Sequence, residues 1–126
     1  MSGEPVLVVD DNAENLKLAS FILESRGYDV RTAGDATQVF AVLQSFHPRV
    51  ILMDLQLPGE DGFAITRKLK LDPRTRHIIV IAVTAYAMKG DERKALDAGC
   101  DEYLTKPINK LALLAAVKRS VHAGNA

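Results

Sequence analysis

The strongest constraint in this sequence is a run of four apolar residues, Val50, Ile51, Leu52 and Met53, that breaks abruptly on Asp54. Pro48 precedes the run and Pro58-Gly59 follows it. A continuous apolar stretch of this length between turn residues fits a strand buried on both faces. Such a strand has no cheap way to carry a charge, which puts Asp54 just past its carboxyl end. The loop over residues 55–59 then turns the chain into a helix whose first turn holds Glu60 and Asp61. Taken alone, Asp54 reads as a helix cap or a solvated turn acid. The rest of the chain shifts that balance by supplying two more acids, a hydroxyl and a lysine at equivalent strand ends.

Residues 6–9 form a second apolar run, and it too ends in acid, at Asp10 and Asp11. Asn12 is placed to cap a helix with Leu16, Ala19, Ile22 and Leu23 on one face and Gly27 as its stop. Residues 28–32 alternate, which suits an edge strand. Gly34-Asp35 opens a second helix with Ala36, Val39, Phe40 and Leu43 inward, closed before Pro48. Residues 62–71 make a third helix with Ile65 and Leu69 inward. Residues 77–83 form the most apolar strand, expected at the sheet centre, and end at Thr84-Ala85.

The fourth helix, over residues 87–98, is weak. Gly90 costs about 1 kcal/mol against alanine inside a helix, and the apolar stripe is mostly Ala95 and Ala98. A helix so poorly anchored is a candidate moving part. Residues 102–105 make a short last strand, Lys106-Pro107 turns out of it, Asn109 caps, and a fifth helix runs to about Val121. That helix carries Leu111, Leu113, Leu114, Val117 and Val121, more than one buried stripe needs. The surplus is a candidate partner surface.

With 126 residues the chain is read as one domain, its core over roughly residues 5–121. Sixteen basic and sixteen acidic residues cancel, so charge gives no reason to expect nucleic acid as a direct partner. No apolar run is long enough for a membrane span, and no signal peptide is recognised at the start. A single cysteine, Cys100, rules out an internal disulfide and fits a reducing cytoplasm. Residues 122–126 are too few for an effector domain.

Five strands alternating with five helices imply an α/β fold with a doubly wound, five-stranded parallel sheet. Ligands of such sheets bind beyond the carboxyl ends of the strands, where strand order reverses. Asp10, Asp11, Asp54 and Thr84 all belong there, and Lys106 follows the fifth strand. Converging carboxylates repel: at about 4 Å and an effective dielectric near 20, each pair costs on the order of 4 kcal/mol. Lys106 supplies one compensating charge. A hard divalent cation with oxygen ligands, magnesium or manganese, is the natural second. His47, His77 and His122 are scattered and offer no rival ligand cluster. Such a cation, a lysine, a hydroxyl and a carboxylate nucleophile suit phosphoryl transfer onto the carboxylate.

The segments V-V-D-D-N (8–12), M-D-L-Q-L-P-G-E-D-G (53–62), V-T-A (83–85) and D-E-Y-L-T-K-P (101–107) together resemble the receiver domain of two-component response regulators. The resemblance covers nearly the whole chain. It implies a flavodoxin-like (βα)5 fold with strand order 2-1-3-4-5. By the same resemblance Asp54 is the phosphoacceptor, charged by a histidine kinase or histidine phosphotransfer protein. Asp10 and Asp11, one of them through water, then hold Mg2+ or Mn2+ together with Asp54 and the backbone carbonyl of Gln56. Lys106 pairs with phosphoryl oxygens, Thr84 hydrogen-bonds another, and Tyr103 rotates inward as Thr84 moves. The Lys106–Pro107 bond corresponds to one that is cis in the family. Gln56 and Tyr86, two residues past Asp54 and Thr84, match positions that tune the lifetime of the acyl phosphate, and a bulky Tyr86 would shield it.

The implied function is a phosphorylation-dependent switch rather than an enzyme, catalysing only its own phosphorylation and dephosphorylation. Its signal leaves through the fourth helix, fifth strand and fifth helix to a downstream protein the sequence does not name, with a monomer as the default state. The stretch over residues 82–92 is similar to stand-alone cell-cycle regulators and to receivers of hybrid kinases. A phosphorelay intermediate or a receiver from a hybrid histidine kinase therefore stays open beside the free-standing regulator.

Two rivals lie outside the family. An aspartyl-phosphate-forming phosphatase would place a second acid two residues after its nucleophile, where this chain has Gln56, and would need a cap. A flavin carrier needs a hydroxyl- and glycine-rich loop after the first strand, where this chain has Asp-Asp-Asn-Ala-Glu.

Overall fold

The computed structural model describes residues 3–57, 59, 61–84 and 91–123. Strands and helices alternate along it: β1 (Pro5–Val9), α1 (Ala13–Glu24), β2 (Asp29–Ala33), α2 (Ala36–Val42), β3 (Val50–Asp54), α3 (Gly62–Leu71), β4 (Ile79–Thr84), α4 (Asp91–Ala98), β5 (Glu102–Thr105) and α5 (Lys110–Ala123). The strands form one sheet in the order β2-β1-β3-β4-β5, and every neighbouring pair is parallel.

Alternate residues of the central strands feed two separate cores. Leu7, Val9, Ile51, Met53, Val80 and Ala82 pack with Val39 of α2, Ile65 and Leu69 of α3 and Ala95 of α4. Val6, Val8, Val50, Leu52, Ile81 and Val83 pack with Ala19, Ile22 and Leu23 of α1 and Leu113, Ala116 and Val117 of α5. The unbroken apolar runs of β1, β3 and β4 follow from burial on both faces. Each fully buried valine, leucine or isoleucine contributes about 1.5–3 kcal/mol.

β2 lies at an edge and is mostly exposed, with an Asp29–Arg31 ion pair at 2.6 Å along it. Charged side chains of this kind discourage pairing with another chain.

Four side chains terminate helices at their amino ends. Asn12 accepts the Asn15 N–H, Asp35 the Gln38 N–H, Asp61 the Ala64 N–H and Asn109 the Ala112 N–H, all at 2.9–3.1 Å. Gly27, with φ of 89°, closes α1 in the left-handed conformation expected of a glycine stop.

Several element ends differ from the sequence expectation. Asp54 is the last residue of β3 rather than the first beyond it, because the ladder pairs it with Val83. Asp61 caps α3 from outside instead of lying in its first turn, while Glu60 falls outside the described residues. β2 is shifted by one residue and β4 begins at Ile79, both following the register of the ladders. Residues 87–90 of the expected fourth helix lie outside the described residues, and its described part buries Ala95 and Ala98 as expected. In α5 the apolar surplus comes down chiefly to Leu111, which is 75 % exposed, since Leu113, Val117 and Val121 are buried.

Candidate functional site

The carboxyl ends of β1, β3 and β4 lie side by side, and the polar residues that end their apolar runs meet there. Asp10, directly after β1, is buried, and its Oδ1 accepts the Asn12 N–H at 2.9 Å. Its Oδ2 accepts the Asn15 side-chain amide at 3.2 Å. Asp54 is only 2 % exposed, and its Oδ1 accepts the Gln56 N–H at 3.0 Å. Lys106 closes the group, with Nζ 3.0 Å from Asp10 Oδ2 and 3.2 Å from Asp54 Oδ2. Asp11 is exposed, yet one carboxylate oxygen from each of Asp10, Asp11 and Asp54 lies within 4.8 Å of the other two.

The two-residue period of a strand explains the convergence. Asp10 continues the row of Val6 and Val8, Asp54 the row of Val50 and Leu52, and Lys106 the row of Leu104. Those rows all belong to the face covered by α1 and α5. Thr84 continues instead the row of Val80 and Ala82 on the other face. Tyr103 stands opposite Ala82 in the ladder and packs against that same core. Thr84 and Tyr103 thus share one face of adjacent strands. A main-chain bond ties the two groups together, the Lys106 N–H donating to the Thr84 carbonyl at 2.7 Å.

Burial pushes the Asp54 carboxyl above its ordinary value, and the nearby Asp10 charge adds to this. The Gln56 N–H and the Lys106 ammonium pull it back without cancelling the rise. For Lys106, burial works against the charge, but the hydrogen bond to Asp10 and the charges of Asp54 and Asp10 outweigh it and raise its pKa. Three carboxylates against one ammonium leave an excess of negative charge. The donor set is all oxygen and lies within the reach of one ion, which is the chemistry that hard divalent cations such as magnesium prefer.

A family model described as "Response regulator receiver domain" matches residues 6–118. The chain belongs to the response regulator receiver domain family. It is 41 % identical over 113 residues to the polar-differentiation response regulator DivK of Brucella ovis, covering 90 % of this chain and 92 % of that protein. Among solved structures, chemotaxis response regulator CheY4 of Vibrio cholerae is 25 % identical with a TM-score of 0.87, over 94 % of this chain and 99 % of that one. The receiver domain of sensor histidine kinase PA1611 from Pseudomonas aeruginosa is 33 % identical with a TM-score of 0.87, over 96 % of this chain and 99 % of that one. That structure holds a magnesium ion coordinated in its active-site cleft.

The receiver domain is thus a two-component signalling module with the flavodoxin-like sheet order. Receiver domains bind Mg2+ at an acidic pocket and interact with histidine kinases or phosphotransfer proteins. No helix among the described residues is long and apolar enough to cross a membrane.

Asp10, Asp11, Asp54 and Lys106 form one cluster, while Thr84 lies at its edge as the buried last residue of β4. Gln56 is exposed, its N–H bound to Asp54. The Lys106–Pro107 peptide bond is cis. Tyr86 lies outside the described residues. Sequence reasoning missed Asn15 and Gly62. Asn15 is the third residue of α1 and its side chain turns back to Asp10, a contact that no motif in the sequence announces. Gly62 abuts the backbone of Asp54 and Leu55, a proximity that nothing in the linear pattern announces.

Proposed function

We propose that this receiver domain is a phosphorylation-dependent switch whose phosphoacceptor is Asp54. The observation that carries this is the Lys106 ammonium held between Asp10 and Asp54, with Asp11 completing an all-oxygen cluster. A free oxygen lone pair of Asp54 attacks the phosphorus of a partner's phosphohistidine. The new P–O bond forms as the P–N bond breaks, and the departing imidazole takes up a proton. Lys106 keeps the carboxylate oriented and moves its hydrogen bond to the incoming phosphoryl oxygens. Asp10 and Asp11, with Asp54 and the Gln56 carbonyl, would hold a magnesium ion, which when bound supplies charge neutralisation at those oxygens. Hydrolysis of the acyl phosphate by water returns the resting state, so the only chemistry is the domain's own phosphorylation and dephosphorylation.

The signal is a two-state shift. A phosphoryl group on Asp54 draws the Thr84 hydroxyl toward it, and Tyr103, on the same face of the neighbouring strand, fills the space released. The surface of α4, β5 and α5 changes, and a downstream protein that prefers the new surface shifts the population. The slender anchoring of α4 and the exposure of Leu96 and Leu111 support an output surface there.

Intact mass after incubation with a small phosphodonor and Mg2+ tests the assignment. Wild type should gain one phosphoryl group and Asp54→Asn none; equal uptake by the variant overturns it. Amide exchange over residues 91–121 should change on phosphorylation, and an unchanged pattern would refute the switch.

A further inference from the structure

Asp10 is more heavily solvated by protein than Asp54. Its Oδ1 accepts one donor, the Asn12 N–H at 2.9 Å. Its Oδ2 accepts the Asn15 side-chain amide at 3.2 Å and forms an ion pair with the Lys106 ammonium at 3.0 Å. A carboxylate oxygen has two lone pairs, and Oδ2 has an amide donor and an ammonium against it. Asp54, by contrast, receives one donor on each oxygen among the described residues. Asn15 is fixed for this contact: it is the third residue of α1, and its own N–H donates to Asn12 Oδ1 at 3.1 Å. A cation that takes up Asp10 Oδ2 competes with these two partners, and the neutral amide is the weaker.

We propose that Asn15 is a positioning residue that satisfies Asp10 in the metal-free site and competes with the divalent cation for Asp10 Oδ2. This rests on the reading of Asp10 as a metal ligand. Hydrogen bonds to an ionised acceptor are the strong ones. What Asn15 contributes to the metal-free form is therefore withdrawn from the cation's binding free energy. Asn15 thereby raises the magnesium concentration at which the site is loaded, and its side chain sets that threshold without itself being a ligand.

The test uses the full chain as wild type, Asn15→Ala and Asn15→Leu, the second keeping the volume without the donor. Calorimetric titration with MgCl2 should show both variants binding Mg2+ about five-fold more tightly, the equivalent of one net hydrogen bond. Their metal-free melting temperatures should fall by about 3 °C, while the Mg2+-saturated values stay close to wild type. A purely structural role at the helix start would lower both temperatures equally and leave the affinity alone. Unchanged or weaker Mg2+ binding in the variants, with wild type binding normally, overturns the role of Asn15 and spares the metal site. Wild type that binds no Mg2+ overturns the metal site as well. A further arm needs no metal: in an Asp10→Ala background, Asn15→Ala should leave the melting temperature unchanged, and an undiminished fall refutes the proposal.

Discussion

Gly62 packs its α-carbon against the main-chain carbonyl of Asp54, leaving no room for a side chain. A Cβ at this position would lie 2.9 Å from the Leu55 Cα and closer still to the Asp54 carbonyl oxygen. Both obstacles are backbone, which cannot swing aside, and the Gly62 N–H also bonds the Leu55 carbonyl at 3.3 Å. Gly62→Ala should therefore cost about 1–3 kcal/mol in urea denaturation and slow phosphorylation of Asp54 from a small donor. Helix propensity argues for the opposite sign, by up to about 1 kcal/mol. A stabilised variant would show that the close approach is slack.

Asp54 has a pKa raised in the folded chain, chiefly by burial. Its contribution to stability is fully present below the unfolded carboxyl's pKa and lost as pH rises through the folded one. At neutral pH the ionised group therefore weakens the metal-free protein. Asp54→Asn should melt above wild type at pH 7 without metal, by about 3 °C or more, and the gap should narrow toward pH 4. Millimolar Mg2+ should raise the melting temperature of wild type more than that of the variant. The raised pKa of Lys106 acts at the other end of the scale: its contribution holds below the ordinary lysine value and fades as pH climbs through the folded one.

Lys70 brackets the end of the sheet far from the site. Its ammonium donates to the Ile78 carbonyl at 2.6 Å and pairs with Asp101 at 2.9 Å, and the same Asp101 oxygen accepts the Val80 N–H at 2.9 Å. Gly99, at φ of 105°, rests on the lysine stem, where a Cβ would meet Cγ at 2.8 Å. Lys70→Met should lower stability by about 1–2 kcal/mol, discounted for partial exposure, while phosphorylation of Asp54 proceeds at the wild-type rate. A lost phosphorylation rate with intact stability would contradict this division.

Cys100 is 4 % exposed, and its thiol lies 3.8 Å from the Thr66 hydroxyl. Burial first, and then the Asp101 charge, push the thiol pKa up against the opposing effects of Thr66 and Lys70. Iodoacetamide at pH 8 should leave the folded protein unmodified by intact mass and alkylate it in denaturant. Rapid alkylation of the native form would place the thiol at the surface.

The sheet and the acid–lysine cluster were legible because burial leaves a conspicuous mark. Val6 to Val9 and Val50 to Met53 are unbroken, so the polar residues ending them announce the rim of the sheet. Strand ends missed by a residue or two, at Asp54 and Ile79, are decided by ladder register between distant segments. Asn15, Gly62 and the Lys70–Asp101 bracket depend on approach distances of 3 Å or so between parts of the chain far apart in sequence or across a turn. No periodicity encodes those.

The division of the sheet into two faces bears on how such a molecule is read by others. Asp10, Asp54 and Lys106 continue the rows of one face, Thr84 and Tyr103 those of the other, and the Lys106–Thr84 main-chain bond joins the two groups at the rim of the sheet. News of a chemical event can thus pass around the border of the wall without breaching it. The proposed output surface follows the same border, since α4 covers one face, α5 the other, and β5 forms the edge of the sheet.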